Sequence, residues 1–208
     1  MKNNWPEPSE NITALLIVAH PDDETIFSGG TILTFPEWNW HIVSLTWSIS
    51  DEPRGTQFQK AIEMYRSYGV NISSFQCLGK LDGDLSEEKF QNWKTSISNL
   101  NLSPSIILTH NTEGEYGHNH HKAVNRICNE LFTNVWEFIC PGATNVAPQP
   151  FKSKIKIIPL TRDILNKKVE IYNRSYTSEL NNWWNLSDLM LYEFKSGPEI
   201  FTQGDENE

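Results

Sequence analysis

The chain has 208 residues, a length that suits one α/β domain with a single core better than two independent domains. Its 38% hydrophobic and 12% aromatic residues are typical of a folded protein and argue against a disordered one. Its net charge of −9 would repel phosphate backbones and anionic membrane surfaces, which excludes nucleic acid as an expected partner.

Short β-branched runs alternate with helical stretches along the chain. The runs are continuously apolar, which is typical of strands buried on both faces of a parallel sheet. In chain order, the predicted elements are strand Ala14–Ala19, helix Glu24–Phe35, strand His41–Trp47, helix Thr56–Tyr68, strand Ser74–Leu78, helix Ser86–Leu100, strand Ser105–Thr109, helix His118–Phe132, strands Trp136–Cys140 and Lys154–Ile158, and helix Arg162–Leu180. This order predicts an α/β fold with a Rossmann-like, doubly wound, mostly parallel sheet and helices on both faces.

The ends of the chain and its cysteines carry little signal for function. Residues 1–11 lack the apolar core of a secretory signal, and no apolar run reaches the ~20 residues of a membrane span. We therefore expect a cytoplasmic protein with one domain over 1–208 and flexible ends at 1–11 and 202–208. The three cysteines lie far apart without a CxxC pair, which favours buried reduced thiols. Nothing in the sequence indicates an oligomeric state.

The loops after the first and fourth predicted strands hold most of the chemically interesting residues. In doubly wound sheets, ligands bind beyond the carboxyl ends of the strands. The first of these loops reads His20-Pro21-Asp22-Asp23-Glu24. Taken alone, it is equally well explained as a proline turn with an aspartate capping the next helix.

The second loop makes a site the better interpretation. Thr109-His110-Asn111 follows the fourth predicted strand, and Gly117-His118-Asn119-His120-His121 opens the next helix. Four of the chain's six histidines lie between positions 110 and 121. On a helix, His118 and His121 are three residues apart and project from one face.

These residue types match a catalytic zinc site, which takes three nitrogen or carboxylate ligands and leaves one position open. We predict that His20, Asp23 and His121 bind the ion. Mixed nitrogen and oxygen ligands favour Zn²⁺, and Fe²⁺ would tolerate the same set.

The neighbouring side chains then suggest an amide hydrolysis. Asp22 lies next to a ligand in sequence and can take the proton of the metal-bound water as that water attacks a carbonyl carbon. The oxyanion would be stabilised by the metal, by a protonated His118 or by the hydroxyl of Tyr116. Either Asp22 or His118 could protonate the leaving amine.

Two segments resemble the LmbE/PIG-L family of N-acetylglucosaminyl deacetylases. Val18–Glu24 is similar to the family's AHPDDE segment, and Tyr116–His121 is similar to its GHxxH segment. The order of residues 12–180 also follows the family. The resemblance implies an LmbE-like fold and zinc-dependent removal of an N-acetyl group from a GlcNAc-type sugar or glycoconjugate.

Position by position, the resemblance implies metal ligands at His20, Asp23 and His121, a general base at Asp22, and an oxyanion or acid role for His118. Tyr116 falls where some relatives place a tyrosine that contacts the reacting acetyl group.

Weaker local similarity implies that Arg54 and Asp82 bind substrate. Arg54 could instead form a surface pair with Glu52, and Asp82 could belong to a plain turn. The chain also departs from the family pattern: Gln57 stands where many members are acidic, and the second motif reads HNHH where HPDH is commoner. His120 is therefore an additional histidine.

Two alternatives to the GlcNAc deacetylase stay open. The first is a deacylase of another N-acylated small molecule, such as a secondary metabolite. It stays open because the sequence of the loops around a site does not reveal which substrate they select. The second is a non-catalytic sugar- or metal-binding domain of the same fold, which would have no need of Asp22.

Overall fold

The fold is known from a computed structural model that describes residues 4–7, 11–80, 83, 85–140, 154–178 and 198–203. Its elements are β1 Thr13–Val18, α1 Asp23–Thr34, β2 Asn39–Thr46, α2 Arg54–Ser67, β3 Ile72–Lys80, α3 Glu87–Ser98, β4 Ile106–Thr109, α4 Gly114–Gly117, α5 Asn119–Leu131, β5 Val135–Ile139, β6 Ile155–Ile158, α6 Arg162–Ser175 and β7 Glu199–Gln203.

The strands form one seven-stranded sheet in the order β3-β2-β1-β4-β5-β7-β6. The first five strands in this order are parallel, and β7 runs antiparallel to both β5 and β6. The chain moves outward from β1 to β2 and β3, then returns to place β4 on the other side of β1. The strand order therefore reverses between β1 and β4, which is where such sheets open a crevice for ligands.

Helices cover both faces of the sheet, as the sequence predicted. Alternate side chains of β1 point to opposite faces and are fully buried. Leu16 and Val18 pack in a cluster with residues of α1, α2 and α6, whereas Leu15 and Ile17 pack with residues of α3 and α5. The predicted α/β architecture with a mostly parallel sheet is confirmed.

The last strand and the last helix differ from the sequence prediction. Thr202 and Gln203, expected in a flexible end, lie in β7 and are buried. The ring of Trp5, in the other expected flexible end, lies 5.1–6.3 Å from four aromatic rings of the core. The predicted final helix ends at Ser175, and its predicted end at Leu180 lies outside the described residues. β7 forms by antiparallel pairing with β5, and the sequence pattern predicted no strand in these five residues.

Cys128 is buried, Cys77 and Cys140 are partly buried, and no two of the three cysteines form a disulfide. Within the described ranges, no helix combines the length and the apolar character that crossing a membrane requires.

A buried ion pair attaches the C-terminal strand to the first helix. Glu199 of β7 accepts hydrogen bonds from the backbone N–H groups of Gly30 and Thr31 and from the Thr31 hydroxyl. Its Oε1 also lies 2.7 Å from Nζ of Lys168, whose side chain is 1% exposed. The carboxylate therefore neutralises a buried ammonium and satisfies two backbone donors in the middle of α1.

Replacing this carboxylate should destabilise the fold strongly. We expect Glu199→Ala to lower the free energy of unfolding by about 3–5 kcal/mol, because Lys168 stays buried without its counter-charge. The measurement is urea denaturation followed by circular dichroism. As a matched control, Asp163→Asn removes an exposed pair with Lys167 on α6 and should change the free energy by less than about 1 kcal/mol. Equal losses in the two variants would contradict this assignment.

Candidate active site and metal centre

The segment between β1 and α1 holds the first group of site residues in a constrained backbone. Asp22 has a φ of +112°, in the left-handed region that non-glycine residues rarely occupy. Its backbone N–H donates to Oε2 of Glu24 over 2.9 Å, and Oε1 of Glu24 accepts from the hydroxyl of Tyr176 over 2.6 Å. Glu24 therefore holds the backbone of Asp22 in this conformation and fixes where its carboxylate points.

Three imidazoles converge on one carboxylate oxygen at the start of α1. Oδ2 of Asp23 lies 3.4 Å from Nδ1 of His20, 3.3 Å from Nε2 of His110 and 3.4 Å from Nε2 of His121. Burial acts to raise the pKa of Asp23, but the neighbouring imidazoles outweigh it and hold this pKa well below its usual range. Asp23 is therefore an ionised carboxylate surrounded by nitrogen atoms.

Glu115 determines which nitrogen of two of these histidines carries the proton. Its Oε2 lies 2.5 Å from Nδ1 of His121 and 2.9 Å from Nδ1 of His110. Burial acts to raise the pKa of Glu115, but the two histidines lower it to about 2, so its carboxylate is ionised and both Nδ1 atoms donate to it. Burial acts to lower the pKa of both histidines, but the neighbouring carboxylates raise it, to about 9 for His110, so each ring can also take a proton on Nε2. In the neutral rings, the Nε2 atoms of His110 and His121 carry lone pairs.

Those two lone pairs have different surroundings. Nε2 of His110 accepts a hydrogen bond from the backbone N–H of Ala19 over 3.0 Å. Nε2 of His121 is buried and, among the described residues, has no hydrogen-bond partner. A buried nitrogen that faces Asp23 and lacks a hydrogen-bond partner fits a role as a metal ligand, because buried polar atoms are rarely left without a partner.

A cation fits the group formed by His20, Asp23 and His121. Their potential ligand atoms all lie within 4.8 Å of one another, and all three residues are buried. Two imidazole nitrogens and one carboxylate oxygen are a donor set used by catalytic zinc. Two further groups meet the same distance criterion: His110 with Glu115 and His121, whose members are already hydrogen-bonded to one another, and His20 with His118 and His120, which offers no carboxylate.

Arg54 and Asp22 form a two-pronged ion pair at the edge of this group. Nη1 and Nη2 of Arg54 donate to Oδ2 and Oδ1 of Asp22 over 3.2 and 3.3 Å. The structure thus pairs Arg54 with Asp22 rather than with Glu52. Burial raises the pKa of Asp22 to about 8, against the opposing charge of Arg54, which suits a group that exchanges a proton near neutral pH.

The residue after Arg54 explains how this side chain reaches the site. A Cβ at Gly55 would collide with the backbone carbonyl oxygen of Ser48, so only glycine allows the start of α2 to lie this close to the preceding loop.

His118 and Tyr116 lie beside the proposed ligands. Nδ1 of His118 accepts from the backbone N–H of His120 over 3.2 Å, and burial together with nearby imidazoles lowers the pKa of His118 to about 4. His118 is therefore a neutral imidazole with its proton on Nε2, in contrast to the protonated form expected from sequence. The Tyr116 ring meets the rings of His118 and His121 edge-on, with centroids 5.8 and 5.3 Å apart.

The structure brings every described residue of the predicted site into this one region. Asp82 lies outside the described residues, although the carbonyl oxygen of the adjacent Gly83 contacts His120. Sequence reasoning assigned no role to His110, Glu115 or Glu24. His110 directly follows β4, at the same end of the sheet as His20, which lies two residues after β1, and this placement was a usable signal. Glu115 gave none, because its role depends on a φ of +54° in a kinked turn.

A family model described as PIG-L, GlcNAc-PI de-N-acetylase, matches residues 15–132. The 1D-myo-inositol 2-acetamido-2-deoxy-alpha-D-glucopyranoside deacetylase of Segniliparus rotundus is 27% identical over 155 residues, covering 55% of this chain and 48% of that protein. The chain spans about half the length of the curated relatives it matches.

Solved structures share the fold at low sequence identity. A triple mutant of a deacetylase of the teicoplanin biosynthetic pathway is 12% identical, with a TM-score of 0.68 over 94% of this chain and 100% of that one. The N,N'-diacetylchitobiose deacetylase of Pyrococcus horikoshii is 16% identical, with a TM-score of 0.62 over 95% of this chain and 85% of that one. These likenesses support the α/β fold described above.

The contact between Glu115 and His121 gives a test of the candidate metal centre. We expect Glu115→Gln to weaken zinc binding by about 10–100-fold, because the neutral amide no longer holds the proton of His121 on Nδ1. Zinc affinity would be measured by competition with a chromogenic chelator. Glu113→Gln, two residues earlier and exposed, is the matched control and should bind zinc like the unmodified protein. The role given to Glu115 would be wrong if both variants bound zinc equally well.

Proposed function

The chain belongs to the PIG-L family, and from this premise we propose that it is a metal-dependent deacetylase of a GlcNAc-type sugar or glycoconjugate. The observation that carries the proposal is the convergence of His20 and His121 on Asp23, next to the buried carboxylate of Asp22. Three metal ligands and a separate proton acceptor are a set of groups suited to hydrolysis of an unactivated amide.

We propose His20, Asp23 and His121 as the residues that would hold the metal ion. When bound, a divalent cation would supply positive charge that favours hydroxide over water at neutral pH and that polarises the acetyl carbonyl. Zinc is the preferred ion from the donor types, with ferrous iron as the alternative.

Asp22 is proposed as the general base. Its carboxylate would take a proton from the attacking water while the water oxygen forms a bond to the acetyl carbon. The two hydrogen bonds from Arg54 hold this carboxylate in one orientation. Asp22 would then return the proton to the nitrogen as the C–N bond breaks, so that the products are acetate and the free amine.

His118 and Tyr116 are proposed to act on the carbonyl oxygen. Because Nδ1 of His118 accepts a backbone hydrogen bond, its Nε2–H is the atom that can donate to the developing oxyanion. This role uses a neutral imidazole, so the proton for the amine is assigned to Asp22. The Tyr116 hydroxyl is a second candidate donor.

The substrate is proposed from the relatives rather than from the pocket. The curated relative and the chitobiose deacetylase are named for acetamido sugars, which favours an N-acetylated sugar here. Arg54 and Asp82 remain proposed substrate residues. Another N-acylated small molecule is the second candidate, because the teicoplanin-pathway deacetylase shares the fold. The single domain over 1–208 and the cytoplasmic location also stay predictions.

Metal removal tests the proposed activity directly. Protein dialysed against a chelator should lose release of acetate from N-acetylglucosamine and N,N'-diacetylchitobiose, and stoichiometric zinc should restore it. Acetate is measured by a coupled assay, and the same preparations are analysed for metal content. If the zinc-loaded protein released no acetate from acetylated sugars and no amine from other acylated amines, a non-catalytic binding domain would be favoured instead.

The assignment of Asp22 has its own test. We expect Asp22→Asn to reduce the turnover number by about 10²–10⁴-fold, because an amide cannot accept the proton of water. Its zinc content should match that of the unmodified protein. Asp163→Asn changes an exposed aspartate of α6 and should leave turnover unchanged. Loss of zinc together with activity would identify Asp22 as a ligand and contradict its role as base.

A further inference from the structure

His120 lies between the two motif histidines and contacts neither Asp23 nor Glu115. It is 4% exposed, in the first turn of α5, with its ring edge-on to Trp93 at a centroid distance of 5.0 Å. Its Nε2 lies 2.5 Å from the carbonyl oxygen of Gly83, and its Nδ1 lies 3.1 Å from Nε2 of His20. The imidazole therefore bridges the loop after β3 and the side of His20 that faces away from Asp23.

The direction of hydrogen bonding along this bridge follows from its first member. A carbonyl oxygen can only accept, so Nε2 of His120 must be the donor to Gly83. In a neutral imidazole the other nitrogen is then an acceptor, so Nδ1 of His120 receives its hydrogen bond from Nε2–H of His20. The remaining nitrogen of His20, Nδ1, is left with a lone pair 3.4 Å from Oδ2 of Asp23.

We propose that His120 is a positioning residue that fixes the tautomer and the ring orientation of His20 through the carbonyl of Gly83. The inference rests on the proposed metal centre, in which Nδ1 of His20 is a ligand atom. His120 then does for His20 what Glu115 does for His121, since each bonds the nitrogen that faces away from Asp23. Such contacts to the far nitrogen of a ligand histidine orient the ring and raise its basicity.

The position of Gly83 gives this bridge a second consequence. Gly83 follows Asp82, a proposed substrate residue, and its carbonyl oxygen is linked to a proposed metal ligand through the side chain of His120. Loss of the His120 ring would therefore remove a hydrogen bond from Gly83 and one from His20, whereas loss of the Nδ1 acceptor alone would affect only His20.

Three substitutions at position 120 distinguish the effect of the two hydrogen bonds of His120 from the effect of its packing. His120→Asn keeps an acceptor near the place of Nδ1, His120→Gln keeps a donor near the place of Nε2, and His120→Leu keeps neither. We expect the leucine and glutamine variants to weaken zinc binding by about 10–100-fold and the asparagine variant to stay within about threefold. Affinity is measured by chelator competition on the full chain, and circular dichroism checks folding.

A second measurement does not depend on metal or on activity. Nitrogen-15 NMR of the metal-free protein reports which ring nitrogen of His20 is protonated. We expect Nε2–H in the unmodified and asparagine variants and a mixture of tautomers in the leucine variant. The control is His41→Asn. His41 lies in β2, is hydrogen-bonded to Ser74 of β3, and its replacement should leave the His20 signals unchanged.

The outcomes distinguish this proposal from the proposed function. A His20 proton on Nδ1 in the unmodified protein would overturn the proposal, and so would equal zinc affinities in all three variants. A second zinc ion per chain that every His120 variant loses would make His120 a ligand and also overturn it. A protein that binds no zinc would refute the metal centre, while the NMR result would still decide the role of His120.

Discussion

A buried hydrogen bond at the end of the two central strands links the two halves of the site: the backbone N–H of Ala19 donates to Nε2 of His110, across 91 residues of sequence. Ala19 follows β1 and His110 follows β4, and these strands are neighbours at the point where the strand order reverses. The bond therefore fixes the separation of the loops that carry His20 and His121. Because β1 is buried on both faces, this separation is set by the rigid centre of the sheet and not by mobile surface loops.

Each proposed ligand has a hydrogen-bond partner that orients it, and for His20 this partner lies 100 residues away in the sequence. Glu115 holds His121, His120 holds His20, and the backbone N–H of His20 donates to Asp23 over 2.8 Å. The backbone at Asp22 and Glu115 is strained, with φ angles of +112° and +54°, and each such conformation costs on the order of 1–3 kcal/mol of folding free energy. Strained backbone at two residues of one site is typical of a preorganised centre.

Charge balance gives a physical reason for a cation at this place. Asp22, Asp23, Glu24 and Glu115 are all buried within the described part of the site. Arg54 pairs with Asp22, and Glu24 is held by hydroxyl and amide donors, so Asp23 and Glu115 face mainly imidazoles. Buried carboxylates need compensation, and a divalent ion beside Asp23 would provide it without protonating the histidines that are proposed to bind it.

By itself, the sequence determined the α/β class and the parallel part of the sheet, and it predicted His20, Asp22, Asp23 and His121 as candidate site residues, because apolar periodicity and motif spacing are local signals. Only the tertiary structure decided the partners of these residues. Arg54 turned to Asp22, Glu115 reached His121 from a kinked turn, and β7 formed by pairing with β5. The first and third of these contacts join segments that are distant in sequence, and the second depends on a local kink with a positive φ, so no apolar periodicity or motif spacing encodes them.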